Sequence, residues 1–175
     1  MIRPQYNRTT GLPWPLTGRG GVITEVFKGR LKGEGKMRNS FNEQTKLLEK
    51  FFDKAPMKRA FGMELSFNND GQAVFDMPYN PSFDHSLGGV HGGVIATLLD
   101  NAGWFNVALH YDFWVATTDL HVQLLESVNG SALRATGQVI RTGKKLAVAR
   151  MEVQDTNGRI VAIGSGTFSV TSVPF

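Results

Sequence analysis

Residues 85–109 read HSLGGVHGGVIATLLDNAGWFNVAL. From Val94 to Leu109 almost every position is apolar, interrupted by Thr97, Asp100, Asn101 and Asn106. A stretch this long has no polar face to turn toward water, so it predicts one buried central helix that other elements must surround. It falls short of the roughly 18–20 apolar residues of a membrane span, and no membrane association is expected.

The segments around this helix have strand character. Upstream, FGMELSFN and QAVFDMPY flank a turn at Asn69-Asp70-Gly71 and read as a hairpin. Downstream, VATTDLHVQLL, SALRATGQVIR, KKLAVARMEVQ and GRIVAIGSGTFSV are four more strands, separated by turn signals at Asn129-Gly130, Gly143 and Asn157-Gly158. Ser40 and Glu43 form a capping box ahead of Leu47, Leu48, Phe51 and Phe52, which predicts a short helix ending near Ala55-Pro56. The expected fold class is α+β: an antiparallel sheet of about six strands wrapped around a long central helix, preceded by a short N-terminal helix.

Composition restricts the function. Hydrophobic residues at 41% and charged residues at 19% indicate a globular chain rather than a disordered one. The sequence contains no cysteine, which removes disulfides, thiolate metal sites and a cysteine nucleophile, and fits a reducing, cytoplasmic location. The pI near 9.5 suggests nucleic acid at first. The charge is local, however: residues 1–36 hold seven basic groups against two acids, a net +5, so the remainder of this +4 chain carries −1. A near-neutral domain with a basic tail is not a nucleic-acid groove, and no nucleic-acid partner is expected. Residues 1–38 read as a flexible basic extension and 39–175 as the folded domain. The four histidines lack metal-ligand spacing and no G-x-S-x-G elbow is present, so neither a metal nor a serine nucleophile is predicted.

Two features of the central stretch carry chemistry. Gly92 and Gly93 open the helix, where unpaired backbone N–H groups can donate to an anion or to the oxyanion formed at an attacked carbonyl, although close packing selects the same residues. Asp100 is the only acid between Asp84 and Asp112 and sits among Leu98, Leu99 and Ala102. It is either a working carboxylate or a structural one bonded to Asn101, Thr97 or a partner backbone. Eight helical positions separate Gly92 from Asp100, a rise of roughly 12 Å. If both serve one carbonyl they come from different copies of the chain, related by a two-fold axis, and a homodimer follows.

The run H-x-x-G-x-x-H-G-G-x-x-x-x-x-x-D-N-A (85–102), followed by A-T-T-D-L (116–120), R-T-G-K-K-L (141–146), G-R-I-V-A and G-T-F-S-V, resembles the hotdog-fold acyl-CoA thioesterases of the phenylacetate-degradation type over about residues 60–171. The resemblance implies hydrolysis of an acyl-CoA to acid and coenzyme A, which enters only as part of the substrate, with no other cofactor. It implies Asp100 as general base or nucleophile, Gly92 N–H as oxyanion donor from the other subunit, and Thr117 holding the attacking water beside Asp100. A tetramer of two dimers is expected. Where those enzymes usually carry Asn or Gln, this chain has His85, which is either a donor in the site or an ordinary loop residue. His91, Gly93, Arg141, Gly143, Lys144 and Lys145 are the candidates for holding coenzyme A. Trp104, Phe105 and Trp114 are candidates for an acyl pocket or for core. Two rival readings are a non-catalytic acyl-CoA-binding module and an acyl thioester hydratase or dehydratase.

Overall fold

The computed structural model describes residues 40–175, so the basic extension expected at residues 1–38 lies outside the described residues. The first helix, α1 (Phe41–Lys54), starts at the predicted capping box: Ser40 N–H donates to Glu43 Oε2 at 2.7 Å, and Glu43 N–H donates to Ser40 Oγ at 3.4 Å. Its buried positions, Gln44, Leu48 and Phe52, recur every fourth residue and face the core. Sequence alone ends this helix and passes directly to a strand near Phe61. The structure instead restarts a second helix, α2 (Pro56–Phe61), because Pro56 suits the first helical turn, and ends it at Gly62 with φ +66°.

Strands β1 (Glu64–Phe67) and β2 (Ala73–Met77) form the expected hairpin. The central helix, α3, spans Gly92–Ala108. Strands β3 (Phe113–Leu124), β4 (Leu133–Thr142), β5 (Leu146–Asp155) and β6 (Ile160–Pro174) complete a six-stranded antiparallel sheet in the order β1-β2-β4-β5-β6-β3. Three pairings are between chain neighbours. The other two are not: β2 joins β4, and β3 crosses to the far edge, where it pairs with β6.

The sheet packs on α3 through small residues. Ala135, Ala147 and Ala149 are fully buried with Leu98, Leu99 and Ala102 of the helix in one apolar cluster. At Gly137 a Cβ would stand 2.6 Å from the Ala102 carbonyl oxygen, so helix backbone and strand backbone meet where only glycine fits. Buried Asn106 bonds α3 to β2 as a neighbouring strand would: Oδ1 accepts from Ala73 N–H at 3.0 Å, while Nδ2 donates to Ala73 O at 3.0 Å and to Ala102 O at 2.8 Å. Among the described residues no helix is long and apolar enough to cross a membrane.

Candidate active site

The approach to α3 is a tight loop. His85 N–H donates to Gly89 O and Gly88 N–H donates to His85 O, both at 2.8 Å, with Gly88 at φ +82°. His85 Nδ1 accepts from Leu87 N–H at 3.2 Å, which places the proton of the neutral ring on Nε2 and makes that atom a donor. His91 is the N-cap of α3, its Nδ1 accepting from Gly93 N–H at 2.9 Å. The Gly93 donor expected to be open is therefore occupied. Gly92 N–H has no hydrogen-bond partner among the described residues, and Gly92 lines a cavity of about 260 Å³ with His85, Val90, Ile95, Leu124 and Val128. A Cβ at Gly92 would lie 2.5 Å from Leu124 Cδ1, so packing also favours glycine there. The segment after β3, Leu125 to Val128, forms the rest of the wall, and nothing in its local sequence pattern singles it out.

Two turns along the helix, Asp100 is partly buried and faces β3, where the Thr117 hydroxyl donates to Oδ1 at 2.8 Å. Burial raises the Asp100 pKa because it disfavours the charged form; the Thr117 bond opposes this by stabilising the carboxylate. The alternative structural partners are engaged elsewhere: Asn101 Nδ2 donates to Thr97 O at 2.8 Å and Thr97 Oγ1 to Gly93 O at 2.9 Å. One turn further, Trp104 Nε1 donates to the Val115 carbonyl, and Trp104 packs on Trp114 with centroids 4.7 Å apart. These tryptophans belong to an aromatic cluster with Phe51 and Phe175 rather than to the cavity wall.

The basic residues Lys144 and Lys145 are exposed on the β4–β5 turn after Gly143, and Arg141 is exposed near the end of β4. Strand register aligns Leu146, Ser169 and Ala116 in one row, so this turn lies at the Thr117 end of the sheet, two strands away. Within one chain the structure thus brings together Asp100 with Thr117, and Gly92 with His85. It keeps the two pairs about two helical turns apart.

A single long helix capped by a six-stranded sheet, with one carboxylate facing the edge strand and a free donor at the helix start, defines a hotdog protein of the thioesterase kind. The chain belongs to the thioesterase superfamily, whose sequence profile matches residues 87–162. A protein of Halobacterium salinarum whose name proposes an esterase, VNG_1336C, is 31% identical over 137 residues, covering 71% of this chain and 90% of its own. The medium/long-chain acyl-CoA thioesterase YigI of Escherichia coli is 29% identical over 141 residues, covering 70% of this chain and 90% of its own. Among solved structures, the BH2602 protein from Bacillus halodurans with CoA matches with a TM-score of 0.65 at 27% identity, covering 75% of this chain and 88% of that one.

Proposed function

We propose that this protein hydrolyses acyl-CoA thioesters to free acid and coenzyme A, as a homodimer of the phenylacetate-degradation type. The observation that carries the reading is the 2.8 Å bond from the Thr117 hydroxyl to a partly buried Asp100 whose side chain has no other hydrogen-bond partner among the described residues. A carboxylate partly withdrawn from water and oriented by one hydroxyl has a second oxygen that can take a proton from water or attack a carbonyl carbon directly.

The second half of the site comes from the other subunit. Strand β3 is a twelve-residue edge strand, and an edge of that length invites pairing with another chain. It runs past both ends of the machinery: Thr117 bonds Asp100, and Leu124 packs on Gly92. In its pairing with β6 the register slips between Thr117 and Asp119, so Thr118 is an extra, bulged residue. With that bulge counted, an antiparallel β3 pair centred on His121 sets Thr117 opposite Leu124 of the partner subunit. The partner's Gly92 then approaches this chain's Asp100, and the two-fold repeats the site on the other side.

In that arrangement the thioester oxygen receives the Gly92 N–H and the His85 Nε2–H of one chain, while Asp100 and Thr117 of the other act on the carbon. Donors set before the reaction stabilise the developing oxyanion without reorganising. When Asp100 acts as base it takes the proton of the attacking water; the tetrahedral intermediate collapses and expels the thiolate of coenzyme A, which is then protonated. The test is thiol release across short, medium, long and aromatic acyl-CoAs by wild type and Asp100→Asn. Wild type should release thiol and the variant should lose about 10²–10⁴-fold in kcat. Near-normal turnover by Asp100→Asn removes the assignment, and an acyl-CoA that binds but stays uncleaved points to a binding module.

A further inference from the structure

Tyr111 lies just beyond α3, where its N–H donates to Ala108 O at 3.1 Å and its carbonyl accepts from the Gln44 side chain at 2.8 Å. Its hydroxyl reaches across to the β4–β5 turn and engages both backbone groups of one residue: it donates to Gly143 O at 2.9 Å and accepts from Gly143 N–H at 3.1 Å. Gly143 N–H also donates to Leu146 O at 2.9 Å, and a Cβ on Gly143 would stand 2.7 Å from that same oxygen. One residue therefore ties three elements together, α1 and the end of α3 through its backbone and the turn through its hydroxyl.

The turn it holds is electrostatically incomplete. Lys144 and Lys145 stand on it and Arg141 near the end of β4 beside it, and among the described residues none of them forms an ion pair with a carboxylate. Three like charges at this end of the β4–β5 hairpin repel one another and favour an anion beside them. Among the described residues Lys145 is held through its backbone, its carbonyl accepting from Val170 N–H at 2.8 Å, beside the row that leads through Ser169 to Ala116 and Thr117. A ligand with its thioester at Asp100 and its anionic end along this edge of the sheet would meet the turn.

We propose that Tyr111 is a positioning residue for the phosphate end of coenzyme A: it fixes the backbone of the β4–β5 turn so that Arg141, Lys144 and Lys145 are presented together. The inference rests on the acyl-CoA reading above. A turn already ordered loses less conformational freedom on binding, so the hydroxyl contributes to affinity without touching the ligand.

The experiment is calorimetric binding of free coenzyme A and of pantetheine, which lacks the phosphates, to wild type, Tyr111→Phe, Lys144→Ala and the double variant. Phe keeps the ring and its packing. Wild type should bind coenzyme A more tightly than pantetheine, with the gap narrowing as salt rises. Tyr111→Phe should weaken coenzyme A about threefold to tenfold, in keeping with the loss of a bond or two, and leave pantetheine unchanged. Lys144→Ala should cost less in the Phe background than in wild type, since the lysine is then no longer held in place. Unchanged coenzyme A affinity in Tyr111→Phe, equal losses for both ligands, additive effects, or a wild type that ignores the phosphates would each overturn the proposal. Thiol release from acyl-CoA by the same wild-type preparation reports separately: binding without release defeats the hydrolase reading and leaves the Tyr111 result standing.

Discussion

Thr117→Val replaces a hydroxyl with a methyl group on an edge strand that accepts β-branched residues readily, so its effect should fall on Asp100 rather than on the fold. In the native protein burial raises the Asp100 pKa and the Thr117 hydroxyl, 2.8 Å away, works against that rise. With valine only the burial remains, and the carboxyl keeps its proton to higher pH. A hydrogen bond to a charged group contributes about 1.5–3 kcal/mol; because Asp100 is only partly buried in one chain, the lower end, about 1.5 kcal/mol, applies. That corresponds to about tenfold in rate. Measured as kcat/KM for acyl-CoA against pH, the valine variant should show its acid limb displaced to higher pH and its plateau reduced about tenfold. Thr117→Ser, which restores the donor, should return both toward wild type. A valine variant with an undisplaced limb and a wild-type plateau would refute the coupling of Thr117 to a working carboxylate.

Asp100, whose folded pKa is raised, favours folding fully only below its unfolded pKa and loses that contribution as pH rises through the folded value; Asp100→Asn should therefore raise Tm at pH 7 by an amount that shrinks toward acid, and a lowered Tm at pH 7 would contradict it. Asn106→Leu should cost about 2–5 kcal/mol in urea unfolding, because both backbone groups of buried Ala73 lose their partner; a loss below about 1 kcal/mol would show that bond to be dispensable. The chain has no cysteine, so His121→Cys supplies a single thiol at the proposed two-fold axis. Facing residues of an antiparallel pair have Cα atoms about 4.5–5.5 Å apart, within disulfide range, so oxidation should give a linked dimer, whereas Arg150→Cys, two strands inward, should stay unlinked.

What the sequence makes legible here is what local pattern encodes. Helix α3 is evident from apolarity on every face, α1 from its capping box, and the hairpins from Asn-Gly, Asp-Gly and Gly-Lys turns. Helix α2 is missed because six residues are too few for a helical period to emerge. The placing of β3 beside β6 rather than β4 depends on long-range pairing that no window of sequence contains. In the site, Asp100 is conspicuous as a charge among leucines and Gly92 as a bare residue at a helix start. The Gly93 N–H departs from the expected open donor for a local reason: histidine is not among the usual N-cap residues, yet His91 accepts the Gly93 N–H. Family resemblance marks Thr117 only as a residue that holds the attacking water; its bond to Asp100, like Tyr111 and the 124–128 wall of the cavity, emerges only once the chain is folded.

Sharing of one site by two chains is tested most directly by mixing two inactive variants. Asp100→Asn removes the carboxylate. Gly92→Pro removes the N–H and adds a ring that presses on Leu124: Gly92 is the first helical residue, where proline is tolerated, and His91, at φ −63° and ψ 134°, already has the backbone that precedes proline. Leu124→Ala, alone and combined with Gly92→Pro, controls for the contact the new ring would make. Each parent should be at least about 10²-fold impaired. Refolded together in equal amounts, half of the dimers are mixed, and each mixed dimer has one site with both groups intact, so thiol release should recover to about a quarter of the wild-type rate per chain. A mixture no more active than its parents would contradict a site completed between two subunits.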